Sequence, residues 1–427
     1  MEVKTSDFVT RVSSRRQPSA IRALQPLVGL PGMISLGGGL PNPDAFPITG
    51  ISLTLSDGSQ IPMSDEQLNA ALQYGPTRGQ PLLVNELIRM MNTYHHPKLP
   101  WDECLDILVS SGSQDALSRT FDMLLDENSA IIVEKPTYPG ALAAIVPIGC
   151  TILGVETDGN GLIPESLKNV IEEHHRSGDG TKIKALYTIP TGQNPRGCTT
   201  TVERKEEVFR ICHDANILIL EDDPYYFLRY DFFDGRGEGD HWAPPRSYLS
   251  MDEDGRVLRF DSFSKIMSSG IRLGWATGPK PFIERLNLHM QAGSLHACSL
   301  SQVIVGEMLR LWGREKFESH IQKAQLLYRN RMLKFKEFME THLDGLVEWD
   351  EPVAGMFAWM RLKGVKDTKK LVMEDCRERG VLMVPGNAFY ADGDAPSPYV
   401  RASFSVAPLD KLEEAVRRLA SLLRERS

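Results

Sequence analysis

The sequence predicts an α/β protein in which helices cover a mostly parallel sheet in a large domain, followed by a smaller α+β domain. Two observations support this fold class. Between about residues 105 and 280, short apolar runs alternate with longer amphipathic segments, the pattern that parallel sheets covered by helices produce. Beyond about residue 310, long helical stretches enclose short strands. We therefore predict an N-terminal segment at 1–50, a large domain at 51–310 and a small domain at 311–427.

The individual elements follow from these patterns. Strands of the large domain are predicted at 106–109, 130–133, 151–155, 183–187, 216–220, 257–260 and 273–276. In the small domain, helices are predicted at 317–341 and 409–424, and strands at 355–360, 381–384 and 400–404. The polar segments 176–182 and 234–246 are predicted to be solvent loops, because they lack apolar periodicity.

Composition excludes several functional classes. The chain has 427 residues, 41% of them apolar, and can bury a sizeable core. Its net charge of −8, without a basic block, argues against nucleic-acid or anionic-membrane partners. The longest apolar stretch, 141–155, contains Pro147 and Gly149 and is shorter than the roughly 18 residues of a membrane span. The cysteines and histidines lack metal-ligand or disulfide spacing, so no metal site is predicted.

A cluster of anion-binding side chains lies at 261–272. Ser262 and Ser264 supply hydroxyls, Lys265 an ammonium and Arg272 a guanidinium. The Gly-x-x-x-x-Gly-Lys motif that binds a nucleotide phosphate is missing. The phosphate of pyridoxal 5′-phosphate is therefore the candidate ligand. A lysine amine near other cations loses its proton more readily and can form a Schiff base. On this motif alone, a solvated lysine in a serine-rich loop remains an alternative.

Three polar segments follow predicted strands directly. Asn194 follows the strand at 183–187, Asp222 and Asp223 follow the next, and Lys265 follows the strand at 257–260. Ligands of open α/β sheets bind at the carboxyl ends of strands, so these segments are predicted to converge. Either aspartate could supply the carboxylate that keeps a pyridine nitrogen protonated.

Ser113 and Gln114 lie where a strand gives way to a predicted helix. Free amides at a helix start attract phosphate, and both side chains add donors. An ordinary N-cap serine is the alternative interpretation.

The order of the motifs resembles that of the fold-type I, class I and II aminotransferases. It comprises Thr-Gly-Gln-Asn-Pro at 191–195, Glu-Asp-Asp-Pro-Tyr-Tyr at 221–226, the lysine cluster, and a late arginine at 401. The resemblance is closer still to the kynurenine/2-aminoadipate aminotransferases, through 34–43, 221–227 and 385–390. It extends from about residue 18 to the C-terminus.

The resemblance implies a role for each residue. Lys265 would hold the cofactor and act in catalysis, and Asp222 would be preferred over Asp223 because of its three-residue offset to Tyr225. The implied cofactor-binding residues are Tyr74, Ser113, Gln114, Tyr138, Asn194, Asp222, Tyr225, Ser262, Ser264, Lys265 and Arg272. The implied substrate-binding residues are Arg22, Gly39, Leu40, Tyr74, Tyr138, Asn194 and Arg401.

The same resemblance implies transamination of kynurenine and 2-aminoadipate with 2-oxoglutarate as amino acceptor. It also implies a homodimer in which Tyr74 reaches the other subunit's cofactor phosphate, and an N-terminal segment close to the substrate. Broad aromatic or branched-chain transamination and cysteine-conjugate β-lyase chemistry remain open. A noncatalytic regulator would need a DNA-binding module, for which the resemblance leaves no room.

The N-terminus leaves the compartment open. The first 22 residues contain four arginines and several serines, which is typical of a mitochondrial transit peptide, but Glu2 and Asp7 argue against one. Both the mitochondrial matrix and the cytoplasm are compatible with this composition.

Overall fold

The computed structural model describes residues 3–24, 27, 30–34, 36–37, 39–230 and 245–426. The chain divides into two compact units that interleave along the sequence. The first unit is Met1–Leu125 with Leu249–Ser319, and the second unit is Asp126–Tyr248 with His320–Ser427. The domain boundaries predicted at residues 50 and 310 stay a prediction. The predicted loop at 234–246 lies outside the described residues, except for Pro245 and Arg246.

The strands of the described residues, in chain order, are β1 Ser52–Thr54, β2 Gln60–Pro62, β3 Leu105–Ser110, β4 Ser129–Lys135, β5 Thr151–Asp158, β6 Gly161–Leu162, β7 Lys182–Thr188, β8 Leu218–Asp222, β9 Val257–Ser262, β10 Gly274–Pro279, β11 Val347–Trp349, β12 Phe357–Leu362, β13 Val384–Pro385 and β14 Tyr399–Ser403. The α-helices are α1 Arg11–Ser14, α2 Ala20–Ala23, α3 Asp65–Leu72, α4 Pro81–Tyr94, α5 Ser113–Leu124, α6 Pro139–Ile145, α7 Pro164–Ser177, α8 Val202–Asp214, α9 Lys280–Gly293, α10 Ser299–His342, α11 Thr368–Lys370 and α12 Leu409–Arg426. Each strand predicted in the large domain coincides with an observed strand.

In the first unit, β10 pairs antiparallel with both β3 and β9. The register places Gly274 between Ser110 and Ser262. A side-chain carbon on Gly274 would come within 2.4 Å of the backbone nitrogen of Ser113. Only glycine therefore allows helix α5 to begin this close to the ends of the strands.

The N-terminal residues pack into the first unit. Phe8 is fully buried and its ring lies edge-on to that of Phe282, with centroids 6.2 Å apart. Ser13 Oγ shares a hydrogen bond of 2.9 Å with His289 Nε2, and burial beside nearby arginines lowers the pKa of His289 to about 4. The neutral imidazole is therefore the form that holds this segment.

In the second unit, the sheet is mostly parallel, as predicted. β4 pairs in parallel with β5 and β7, and β7 pairs in parallel with β8; the short β6 runs antiparallel to β5. β4 and β8 are buried along nearly their whole length, which is why they read as continuous apolar runs. The later part of the unit forms an antiparallel sheet in the order β11–β12–β14–β13.

Two small-domain predictions differ from the structure, and one strand was not predicted. The strand expected at 381–384 is reduced to Val384–Pro385, because the pairing with β14 begins only at Val384. The strand Val347–Trp349 was not predicted. Helix α10 begins well before residue 317, and Gly313, at φ +57°, interrupts it and so breaks its periodicity. Within the described ranges, no helix is both long and apolar enough to cross a membrane.

Candidate functional site

The first unit gathers an anion-binding cradle at the start of α5. Gly112, at φ +84°, precedes the helix, so the backbone N–H groups of the first turn are available to an anion. Arg272 Nη2 donates to Ser111 O (3.2 Å), and its Nη1 donates to Ser264 Oγ (3.3 Å). A side-chain carbon on Gly112 would come within 2.5 Å of Arg272 Nη2. Glycine is therefore required for the guanidinium to lie here.

Lys265 lies half-buried on the turn that follows β9. Its neighbour Phe263 is buried and packs on Trp275, with ring centroids 4.8 Å apart. Within the turn, Ser264 N donates to Ser262 Oγ (3.2 Å). The aromatic pair fixes the turn independently of the lysine. The structure thus brings together the predicted phosphate ligands of this unit, Ser113, Ser262, Ser264 and Arg272, with Gln114 in the first helical turn.

In the first unit, Arg22 bonds the backbone of the residue that follows Tyr74. Arg22 Nη1 donates to Gly75 O (3.0 Å). His296 Nδ1 lies 2.7 Å from Ala297 O, a carbonyl that can only accept, so His296 Nε2 accepts from Gly75 N (3.1 Å). Tyr74 is 52% exposed and lies edge-on to the His296 ring.

Two predicted substrate residues in the N-terminal segment are open to solvent. Leu40 is 55% exposed, and a side-chain carbon on Gly39 would meet no atom within 4 Å. The preceding Gly38 lies outside the described residues. The roles of Gly39 and Leu40 stay predictions.

In the second unit, Asp222 lies at the end of β8 and is 3% exposed. The hydroxyl of Tyr187, on the adjacent strand, donates to Asp222 Oδ2 (2.7 Å). Burial, together with the negative charge of Asp222, raises the pKa of Tyr187 well above its usual value. Tyr187 therefore keeps its proton and orients the carboxylate.

Arg401 forms the centre of a second cluster. Its Nη1 donates to Asn194 Oδ1 (2.9 Å), and its guanidinium carbon lies 4.1 Å from the ring centre of Phe357 and 5.2 Å from that of Phe389. Burial lowers the pKa of Arg401 from its usual value, yet a guanidinium stays charged in proteins. The arrangement suits a carboxylate, which a guanidinium binds through two parallel hydrogen bonds.

Two tyrosines border this cluster. The ring of Tyr138 lies over the backbone of Gly140, where a side-chain carbon would come within 2.5 Å of the tyrosine hydroxyl. Tyr225 is buried, and its ring lies edge-on to Phe357 at 6.1 Å. Burial raises the pKa of Tyr225 above its usual value, so its hydroxyl remains a donor.

The predicted residues thus form two sets, one in each unit, and their convergence stays a prediction. Sequence reasoning missed Tyr187, Phe357 and Phe389. Tyr187 ends a mostly apolar predicted strand just before the polar segment of Asn194, and a buried tyrosine needs a hydrogen-bond partner. That signal could have found it. Local sequence does not reveal the role of the two phenylalanines, although Phe389 lies in the 385–390 motif, because that role comes from contact with a distant arginine.

Comparisons with known proteins are consistent with these clusters. The profile of the family described as Aminotransferase class I and II matches residues 63–419. The mouse (Mus musculus) kynurenine/alpha-aminoadipate aminotransferase, mitochondrial, is 41% identical over 98% of this chain and 99% of the relative. Aminotransferase tdiD of Emericella nidulans is 37% identical over 97% of this chain and 95% of its own.

Solved structures show the same fold. Aminotransferase Aro8 from Candida albicans superposes with a TM-score of 0.86 at 27% identity, over 100% of this chain and 99% of that one. Kynurenine aminotransferase from Pyrococcus horikoshii, solved with PMP, kynurenine and its product, gives a TM-score of 0.76 at 29% identity, over 99% and 98% of the two chains. These similarities confirm the predicted fold class, and they confirm pyridoxal 5′-phosphate as the cofactor. The chain belongs to the class I and II aminotransferases and is a pyridoxal-phosphate-dependent enzyme that acts on amino acids and 2-oxo acids.

Proposed function

We propose that this aminotransferase transfers the amino group of kynurenine and of 2-aminoadipate to 2-oxoglutarate. The observation that supports an amino-acid substrate is the hydrogen-bonded pair of half-buried Arg401 and buried Asn194, with the guanidinium close to two phenylalanine rings. It is suited to an α-carboxylate. The choice of donors rests on the names of the mouse, cattle and rat relatives, which are 38–41% identical to this chain.

The residues present fit the cofactor. A phosphate needs converging donors, and the start of α5 supplies them around a Gly112 that has no room for a side chain. A protonated pyridine nitrogen needs a carboxylate, and Asp222 is buried and oriented by Tyr187. We assign phosphate binding to Ser113, Gln114, Ser262, Ser264 and Arg272, with Tyr74 from the other subunit. Asn194 and Tyr225 would bind the phenolic oxygen, and Tyr138 would stack on the ring.

The side chains divide the chemistry among them. When bound, the cofactor supplies a protonated ring that accepts the electron pair left at the substrate α-carbon. Asp222 holds the proton at the ring nitrogen. Arg401 orients the α-carboxylate, and Lys265 Nζ takes the proton from the α-carbon. Positioning the substrate and the base together makes the proton transfer effectively unimolecular.

A half-reaction panel tests the substrate assignment. Purified holoenzyme is mixed with one amino acid at a time, without a 2-oxo acid, and the cofactor absorption is followed. We expect rapid changes with kynurenine, 2-aminoadipate and glutamate. Faster changes with phenylalanine or leucine would favour the broad aromatic or branched-chain alternative. Release of pyruvate and ammonia from a cysteine conjugate would favour the β-lyase.

The compartment is tested separately. We infer a mitochondrial location from the printed names of the mammalian relatives, with the cytoplasm as alternative. Because Phe8 and Ser13 are buried in the first unit, removal of these residues would expose apolar surface. Fractionation of cells with N-terminal sequencing of the protein distinguishes the two locations.

The proposed homodimer leads to a complementation prediction. Tyr74→Phe should weaken cofactor retention, and Lys265→Ala should be inactive. Mixed dimers of the two variants should recover activity, because one site per hybrid would combine an intact lysine with an intact tyrosine. The expected recovery is at most half of one wild-type dimer's activity per hybrid. Lys265→Ala mixed with itself is the control, and full activity of a sedimenting monomer would contradict the shared site.

Arg22 is predicted to read the distal charge of the substrate. Acidic side chains need a cation, whereas kynurenine needs apolar contact, so an arginine that leaves Gly75 O could serve the acidic donors. We expect Arg22→Ala to raise KM for 2-aminoadipate and glutamate, with little change for kynurenine. The rise should correspond to a loss of binding free energy on the order of 1.5–3 kcal/mol. The exposed Arg15→Ala is the control. Equal losses for all donors would instead indicate that the bond to Gly75 has a structural role.

A further inference from the structure

A buried carboxylate, Glu134, lies beside the turn that carries Asn194. It is 1% exposed and stands near the end of β4, where Val133 pairs with Tyr187 of β7. Thr188 Oγ1 donates to Glu134 Oε1 (2.6 Å), and Ile189 N donates to Oε2 (3.3 Å). Gln193 Nε2 also donates to Oε2 (3.0 Å). The carboxylate thus connects the end of one strand to the turn that follows another.

These bonds leave the Gln193 side chain a single orientation. Its Nε2 also donates to Pro136 O (2.7 Å), while its Oε1 accepts from Arg196 N (2.9 Å). Rotating the amide would place its oxygen against two acceptors and its NH2 group against the Arg196 N–H donor. Its backbone N–H donates to Cys198 O (2.8 Å). Both the side chain and the backbone of Gln193 are therefore held, and the next residue is Asn194.

We propose that Glu134 is a positioning residue for the substrate-carboxylate clamp: by holding Gln193, it sets the direction in which Asn194 Oδ1 meets Arg401. The inference rests on the proposed role of Arg401. Glu134 itself would touch neither substrate nor cofactor. Its effect would reach them only through Gln193 and the Asn194–Arg401 hydrogen bond of 2.9 Å.

The electrostatic surroundings support this role. In the described parts of the chain, Glu134 forms no ion pair, and its partners are a hydroxyl, an amide side chain and a backbone N–H. Burial raises the pKa of Glu134 to about 7, although these hydrogen bonds oppose the shift. The negative charge of Glu134 helps to raise the pKa values of three titratable groups, Tyr187, Cys198 and Tyr248. Each of these groups is neutral near pH 7.

The sign of the pH dependence follows. The folded-state pKa lies above the ordinary value, so near-neutral solutions contain both forms. The charged form accepts from all three donors. The protonated form has a proton on one oxygen, which weakens the hydrogen bonds that hold Gln193. Raising the pH through about 7 should therefore strengthen the hold on Asn194 and Arg401, whereas the contribution of Glu134 to fold stability falls as the pH rises from its ordinary pKa of 4.5 to about 7.

The test is steady-state kinetics on the holoenzyme with Glu134→Met, which keeps the length of the side chain but removes both oxygens that accept hydrogen bonds, including the one that accepts from Gln193. We expect KM for glutamate and for 2-oxoglutarate to rise about ten-fold, as for loss of a hydrogen bond to a charged group, with kcat within about three-fold and cofactor absorption retained. Calorimetric affinity for glutarate, which cannot react, should fall by the same factor. The KM ratio of variant to wild type should grow from about pH 6 to about pH 8.

Asp252→Asn is the matched control. Asp252 is likewise a buried acid that accepts several backbone N–H bonds, and burial raises its pKa to about 6. Its partners lie in the turn before β9, so its variant should lose stability without a change in either KM. A comparable KM rise in this control would overturn the inference.

Two further variants separate the remaining outcomes. Gln193→Met removes the Glu134–Gln193 hydrogen bond from the other side and should reproduce the ten-fold rise, which keeps the inference testable if Glu134→Met fails to fold. Unchanged KM in Gln193→Met, or a fall in kcat alone, overturns it. Arg401→Gln should raise both KM values further. If Arg401→Gln does so and the Glu134 and Gln193 variants do not, only the role of Glu134 is wrong; if Arg401→Gln has no effect, the proposed clamp itself is wrong.

Discussion

Lys265→Ala is expected to lower transamination by about four orders of magnitude or more while leaving the fold intact. The amine would serve both as the covalent attachment point of the cofactor and as the base at the substrate α-carbon, and general acid–base catalysis alone contributes about 10²- to 10⁴-fold. The turn itself should survive, because the buried Phe263–Trp275 pair anchors it. The cofactor should remain bound through the phosphate ligands, noncovalently.

Borohydride reduction provides the direct measurement. Treatment of the wild-type holoenzyme, followed by peptide mapping, should locate the reduced cofactor on the peptide that contains residues 261–272. Lys280→Ala is the control, since the Lys280 amine donates to the carbonyl of Asp102 in the same unit (2.7 Å) and has no proposed role. It should keep normal activity. A cofactor adduct on any other lysine would disprove the assignment of Lys265.

Asp222→Asn is expected to lower kcat by about 10²- to 10³-fold, the cost of removing one preorganised electrostatic group from an active site. The amide keeps an oxygen that can accept from Tyr187, so the local structure should persist. What is lost is the negative charge that would keep the pyridine nitrogen protonated. The cofactor's affinity should change less than kcat, because the phosphate ligands are unaffected.

Asp223→Asn is the matched control, since Asp223 is adjacent and equally buried. We expect it to leave kcat within a few-fold of wild type. Tyr187→Phe, which removes the donor to Asp222, should give an intermediate loss. Stopped-flow measurement of the half-reaction with glutamate, together with the absorption maximum of the bound cofactor, distinguishes the variants. A larger loss for Asp223→Asn than for Asp222→Asn would reverse the assignment of the ring-nitrogen partner.

Most strands of the large domain could be predicted from sequence because burial on both faces makes them continuous apolar runs, and β4 and β8 are examples. The strands of the small domain were harder to predict from sequence. Residues 381–384 are apolar enough to suggest a strand, yet only Val384 and the following Pro385 pair with β14. Local composition does not reveal whether an apolar run pairs with a neighbour or only packs against the core.

Arg401 shows that local sequence also fails to reveal the contacts of a candidate site residue. The spacing of the motifs identified Arg401 as a candidate, but its neighbours Phe357 and Phe389 could not be inferred. Phe357 lies on β12, which pairs with the strand of Arg401, and Phe389 comes from a turn after β13. Their contact with the guanidinium depends on the order of strands in the antiparallel sheet.

By itself, the sequence determined which chemical groups this protein carries and the order in which they follow strands: a lysine among hydroxyls, an aspartate pair, an asparagine and a late arginine. The tertiary structure alone decided which partner each group has. Tyr187 reaches Asp222 because β7 and β8 are neighbours, and Glu134 reaches Gln193 because β4 lies on the other side of β7. The physical reason is that a hydrogen bond between distant residues depends on strand order and register, which local periodicity does not encode.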